Sequence, residues 1–168
     1  RLSRPATRAH TIVFSSIMTV SQGGDGVPEL SFRAANARKH QLLQPEVRLL
    51  AILRRDAKGA DDLTLLELAL DVPHAFLGLP LTVKHRLGPT SPLVRAGTWR
   101  ELQARGLELL VILDSVDAST SQLVQARCAY KVQDLIFGHV FKSPVSTDRK
   151  SGRLCVDFGR LDHTEPER

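Results

Sequence analysis

The stretch from Leu107 to Phe141, LELLVILDSVDASTSQLVQARCAYKVQDLIFGHVF, decides the fold. It holds three apolar runs separated by short polar gaps, and none is long enough to cross a bilayer as a helix. The first is LELLVIL, Leu107 to Leu113. The second, QLVQARCAYKV, alternates in its middle. Val124, Ala126, Cys128 and Tyr130 point one way, and Gln125, Arg127 and Lys131 point the other. The third is LIFGHVF, Leu135 to Phe141. Short apolar segments with turn signals between them predict an all-β sandwich or barrel.

The rest of the chain repeats the pattern. HTIVFSSIMTV, His10 to Val20, predicts a first strand, and Gly23-Gly24-Asp25-Gly26 a turn. Leu30 to Ala34 follows, then a polar loop at Asn36-Ala37-Arg38-Lys39. In EVRLLAILR, Glu46 to Arg54, Val47, Leu49, Ala51 and Leu53 share one face, and Leu50 and Ile52 lie on the other. A charged hairpin loop spans Asp56 to Asp62. Leu63 to Leu70 is read as a strand because short β elements flank it, although its leucines also suit a helix. Leu79 to Leu87 is a further strand and Gly88 to Leu93 a loop. Thr98-Trp99-Arg100-Glu101 has the S/T-x-x-E pattern of a capping box, and Gly106 stands where the resulting short helix must end. A polar turn after Phe141 leads to a last strand, Arg153 to Phe158, and to a polar tail from Asp162 that is expected to fray.

Composition sets the outer limits. A chain of 168 residues with 42% apolar content fits one domain carrying a short tether. The tether is RLSRPATRAH, residues 1–10, and the sandwich is residues 11–168. The chain begins at Arg1 and is read as a fragment of a longer protein. A net charge of +5 suits an anionic partner, but an aromatic content of 5% argues against a stacking surface for single-stranded nucleic acid. The basic residues are also spread through loops, so no nucleic-acid partner is expected. Cys128 and Cys155 both fall in apolar runs and are expected to be buried thiols.

Catalytic and metal patterns are missing. His10, His40, His74, His85, His139 and His163 are scattered, with no H-x-H or H-E-x-x-H spacing. No P-loop, G-x-S-x-G or dinucleotide fingerprint occurs. Asp61-Asp62 and Asp114 with Asp117 are carboxylate pairs of low specificity. No enzymatic activity, cofactor or metal is expected.

Several segments, in order, carry a resemblance. They are Arg4-Pro5 with Arg8-Ala9 and Phe14-Ser15; Phe32-Arg33-Ala34-Ala35-Asn36-Ala37-Arg38; and Thr82-Val83-x-His85 with Ser91-Pro92-Leu93. Glu108 to Leu113 then precedes Gln125-Ala126-Arg127-x-Ala129-Tyr130, Gly138-His139 and Val156-Asp157-Phe158. The set resembles the cytoplasmic C-terminal domain of inward-rectifier potassium channels, the prokaryotic members most closely. The resemblance implies an immunoglobulin-like β-sandwich with one short helix. It implies a homotetramer around a path for potassium ions, attached to its own transmembrane pore domain and regulating gating at the membrane's cytoplasmic face. It also groups the chain with voltage-gated channels. The conducting T-x-G-Y/F-G filter is not in this sequence.

The resemblance also implies roles for residues. Asp117-Ala118-Ser119-Thr120-Ser121-Gln122 falls where the family has its cytoplasmic constriction, and its small side chains suit four loops meeting at an axis. Ala118 takes the place of an acidic residue that binds blocking cations in eukaryotic members, with Asp117 beside it. A second acidic position falls near Gln44. Glu46, two residues on and on the same strand face, is the candidate lining acid together with Asp117. Weaker polyamine block than in strong rectifiers follows. Arg1, Arg4 and Arg8 are candidate contacts for anionic lipid headgroups. A soluble β-sandwich adaptor without a channel is the alternative.

Overall fold

In the computed structural model, residues 12–37, 40–55, 62–71 and 80–168 are described. Two main sheets enclose the core. The first joins β1 (Ile12–Phe14), β2 (Met18–Gln22), β3 (Pro28–Asn36), β6 (Leu81–Arg86) and β9 (Leu135–Phe137). Its centre is β3, which pairs antiparallel with β1 and β2 along one edge and with β6 along the other. The second runs β5 (Leu63–Leu68), β4 (Leu42–Arg54), β7 (Glu108–Asp117), β8 (Leu123–Lys131), all antiparallel. Two ribbons complete the fold: β10 (His139–Phe141) with β13 (Thr164–Pro166), and β11 (Val145–Thr147) with β12 (Leu154–Val156).

The period-2 pattern explains the packing. Leu49, Ala51 and Leu53 of β4 are buried, as are Leu109, Val111 and Leu113 of β7. They meet Met18, Leu30, Phe32 and Val83 of the first sheet in one continuous core. On β8 the Val124, Ala126, Cys128, Tyr130 side packs inward, and Gln125, Arg127 and Lys131 are exposed. This is the expected all-β, immunoglobulin-like sandwich.

The helix at the capping box is α2 (Trp99–Ala104). Thr98 accepts from the Glu101 N–H, and the Glu101 carboxylate accepts from the Thr98 N–H at 2.7 Å. Gly106 follows with φ +66, a left-handed conformation that glycine adopts without strain. A further short helix, α1 (Pro92–Ala96), precedes it in what reads from the sequence as loop, with Pro92 at its start.

The structure corrects four other expectations. His10 to Val20 does not form one strand, since β1 and β2 are separated by a bend at Ser15 to Ile17. The buried Ser15 hydroxyl donates to the Ile17 carbonyl and accepts from the Arg33 N–H, holding that bend. Leu135 to Phe141 is likewise broken at Gly138, whose φ is +71, so its halves join different sheets. The polar tail is not frayed: β13 pairs with β10 through Thr164, Glu165 and Pro166. Cys128 is half-buried but Cys155 is exposed on β12, and both are free thiols. Residues 1–10, with Arg1, Arg4 and Arg8, lie outside the described residues, as does most of the Asp56 to Asp62 loop.

Candidate functional site

The hairpin joining β7 to β8 presents Ala118, Ser119, Thr120, Ser121 and Gln122, all exposed. Its geometry is set by Asp117, which is fully buried. One carboxylate oxygen accepts from the Ser119 N–H at 2.8 Å, the Ser119 hydroxyl at 2.6 Å and the Thr120 N–H at 3.1 Å. Ser121, at φ +55, closes the turn by donating its N–H to the Asp117 carbonyl at 2.8 Å. The Ala118 N–H donates to the Gln41 carbonyl, tying the hairpin to the start of β4. Asp117 therefore organises the loop from within, while the small residues after it form the tip.

Glu46 lies on the outer face of the second sheet and is exposed. A bulge between Leu43 and Glu46, with Gln44 at φ +48, places an extra residue opposite Ser115. Gln44 and Glu46 are both exposed, but the bulge interrupts the two-residue alternation, since Leu43, three residues before Glu46, is exposed as well. Directly across from Glu46 on β7 stands Asp114. Asp114 accepts from the Gln125 amide at 2.7 Å and lies 3.9 Å from the Arg48 guanidinium. The Arg127 guanidinium donates to the Gln125 side-chain oxygen at 3.1 Å. The outer face thus carries two carboxylates and two guanidiniums in one contiguous polar patch below the hairpin.

Asp114 appears in the sequence only as half of a low-specificity carboxylate pair with Asp117, and its place beside Glu46 is not foreseen there. Strand parity is the signal. Leu109, Val111 and Leu113 point inward, so Asp117 shares their side and Asp114 does not.

The remaining motif residues bind the fold to itself. His85 is buried; one ring nitrogen sits 2.7 Å from the Ala69 carbonyl and the other 2.7 Å from the Ser91 hydroxyl. A carbonyl only accepts, so Nδ1 carries the proton and Nε2 accepts from Ser91. Burial pushes the His85 pKa below the usual histidine range. Tyr130 donates its hydroxyl to the Ser15 carbonyl at 2.6 Å. Arg33 is buried with Nη2 donating to the Lys142 carbonyl and its guanidinium 4.7 Å from the Phe141 ring centroid. Burial lowers its pKa to about 10, so it stays charged at neutral pH. Among the described residues no cluster of three or more His, Cys, Asp or Glu could hold a metal ion, and no helix is long and apolar enough to cross a membrane.

The class these features define is a two-sheet sandwich that carries structural motif residues inside and a polar apex outside. Residues 12–167 match the inward rectifier potassium channel C-terminal domain, and the chain belongs to that family. It is 29% identical to G protein-activated inward rectifier potassium channel 1 of Bos taurus, over 98% of this chain and 33% of the relative. It is 31% identical to inward rectifier potassium channel 4 of Mesocricetus auratus, over 98% of this chain and 37% of the relative. ATP-sensitive inward rectifier potassium channel 12 of Gallus gallus is 29% identical, over 98% and 39% respectively. The chain thus spans between about a third and two fifths of these relatives.

The relatives are named as channels, not enzymes. A match across nearly the whole chain does not favour the adaptor alternative. A special closeness to prokaryotic members finds no support, since these relatives are vertebrate proteins. The grouping with voltage-gated channels is not supported either, as inward rectifiers are not voltage-gated.

Proposed function

We infer that this chain is the cytoplasmic domain of an inward-rectifier potassium channel, extending the ion path beyond a transmembrane pore domain and regulating its gating. Family membership over residues 12–167 carries the reading. Four copies pack around an axis, with the hairpins Asp117 to Gln122 forming the constriction. Ala118, Ser119, Thr120 and Ser121 are small enough for close approach, and Asp117 holds each hairpin in shape.

The path is lined by Glu46 and by its cross-strand neighbour Asp114. Arg48 and Arg127 offset both charges on the same face. A near-neutral lining attracts polyvalent cations weakly, so polyamine block is weak. Farther along this face, Leu63 and Leu65 are 61% and 64% exposed beside half-buried Leu50, Ile52 and Leu110. This apolar area supplies subunit contact in a homotetramer. Arg1, Arg4 and Arg8 then lie near the membrane, where each adds about 1 kcal/mol of attraction to anionic headgroups.

Recording potassium current from the full-length protein in excised patches tests the reading. Arg127→Gln is expected to raise sensitivity to internal spermine severalfold, and Glu46→Gln to lower it. Unchanged block in both variants, with normal current, would remove Glu46 and Arg127 from the ion path.

A further inference from the structure

An apolar cavity of about 630 Å³ opens between the two helices and the edge of the first sheet. That is the size of a small-molecule site. Leu87, Leu93 and Leu102 form its aliphatic wall. Trp99 and Phe137 form its aromatic wall, their rings meeting edge to face with centroids 5.6 Å apart. Phe137 remains 48% exposed. The cavity lies on the first sheet, away from the polar face described above, and uses none of its residues.

Among the described residues lining it, the only charged ones are Glu101 and Glu167. No lysine, arginine or histidine lines the cavity itself, although Arg105 acts on Glu101 from outside it and the chain as a whole carries a net charge of +5. Both carboxylates are fixed in place. Glu167 accepts from the Gln22 N–H at 2.7 Å, and Glu101 accepts from the Thr98 N–H at 2.7 Å and its hydroxyl at 3.0 Å. The hydrogen bonds from Thr98 hold the Glu101 carboxyl below its usual range, so it is ionised at neutral pH.

We propose that this cavity binds a hydrophobic ammonium ion, with its apolar tail against Leu87, Leu93 and Leu102 and its charged head between Glu101, Glu167 and the Trp99 ring. A tail of this kind gains from leaving water, and an ammonium gains from both carboxylates and from an aromatic face. A fatty acid of the same length would set a third carboxylate against two. A neutral alcohol would forgo the ionic term. The chemistry therefore selects for positive charge on an apolar chain.

Trp99 is the single tryptophan of the chain and reports directly on the cavity. The test titrates the protein with octylammonium, 1-octanol and octanoate below their aggregation limits and follows Trp99 emission. Octylammonium is expected to give a saturable change with affinity about tenfold above that of octanol, the scale of one favourable charge contact. Octanoate is expected to bind more weakly than octanol. The Glu101→Gln, Glu167→Gln double variant is expected to bind octanol and octylammonium equally, and glutamine still completes the capping box at position 101. If that variant fails to fold, the ranking of the three probes on the unaltered protein still decides. Equal affinity for octanol and octylammonium, or no saturable emission change, would overturn the proposal.

Discussion

Asp117 and Glu46 show how far a carboxylate's role depends on which way its strand turns it. Asp117 is buried and accepts three hydrogen bonds from its own hairpin. Bonds to a charged acceptor each contribute on the order of 1.5–3 kcal/mol, so Asp117→Ala should destabilise the protein by roughly 2 kcal/mol or more. A chemical-denaturation midpoint measures this, and Glu46→Gln, at an exposed site, should leave that midpoint within about 0.5 kcal/mol of the parent. Asp117 was expected from the sequence to line the ion path, yet its parity with Leu109, Val111 and Leu113 already placed it on the inward side, where the structure buries it. The bulge at Gln44 was not legible in the sequence, since a positive φ at glutamine has no composition signal. His85 gives a pH dependence with a definite sign. Its pKa is lowered by burial in the fold, so below the ordinary value of 6.5 the unfolded chain binds the extra proton more readily. Stability is therefore full above pH 6.5 and declines as pH falls below it. Thermal melts should show this decline, and His85→Gln should flatten the part that His85 contributes.

At the scale of elements, the two-residue rhythm identified strands well and their ends poorly. The interior of β8 follows from alternation, and those of β4 and β7 from short apolar runs covered on both faces. The breaks at Ser15 and Gly138 do not, because tertiary partners make them: Arg33 and Tyr130 grip Ser15, and β2 and β13 compete for the two sides of Gly138. The start of α1 reads as loop although Pro92 suits a first helical position, and the Ser91 hydroxyl serves His85 rather than capping the helix. An alanine at Gly138 would meet no atom within 4 Å, so only backbone strain opposes it. Gly138→Ala should thus cost about 1–2 kcal/mol from the left-handed conformation, read as a shift in melting temperature. Thr98→Ala removes the cap of α2 and should cost about 1 kcal/mol, with Thr98→Ser recovering most of it.

For the whole molecule, the sandwich was legible and the role of its outer surfaces only partly so. A sequence marks which residues leave water, but not which exposed face meets another copy. The leucines of β5 look like core leucines until β4 is seen to turn Leu63 and Leu65 outward. Light scattering of the full-length protein is expected to give a mass of four subunits, and Leu65→Glu to reduce it without unfolding the subunit. The parallel pairing of β2 with β9 has a consequence for biosynthesis. The backbone edge offered by residues 18–20 waits for residues 135–137 before it is covered. At translation rates of about 5–20 residues per second, that edge stays open for on the order of ten seconds on every ribosome. Throughout that interval a nascent chain can recruit the matching strand of its neighbour on the same message, a mispairing that the finished sandwich no longer permits.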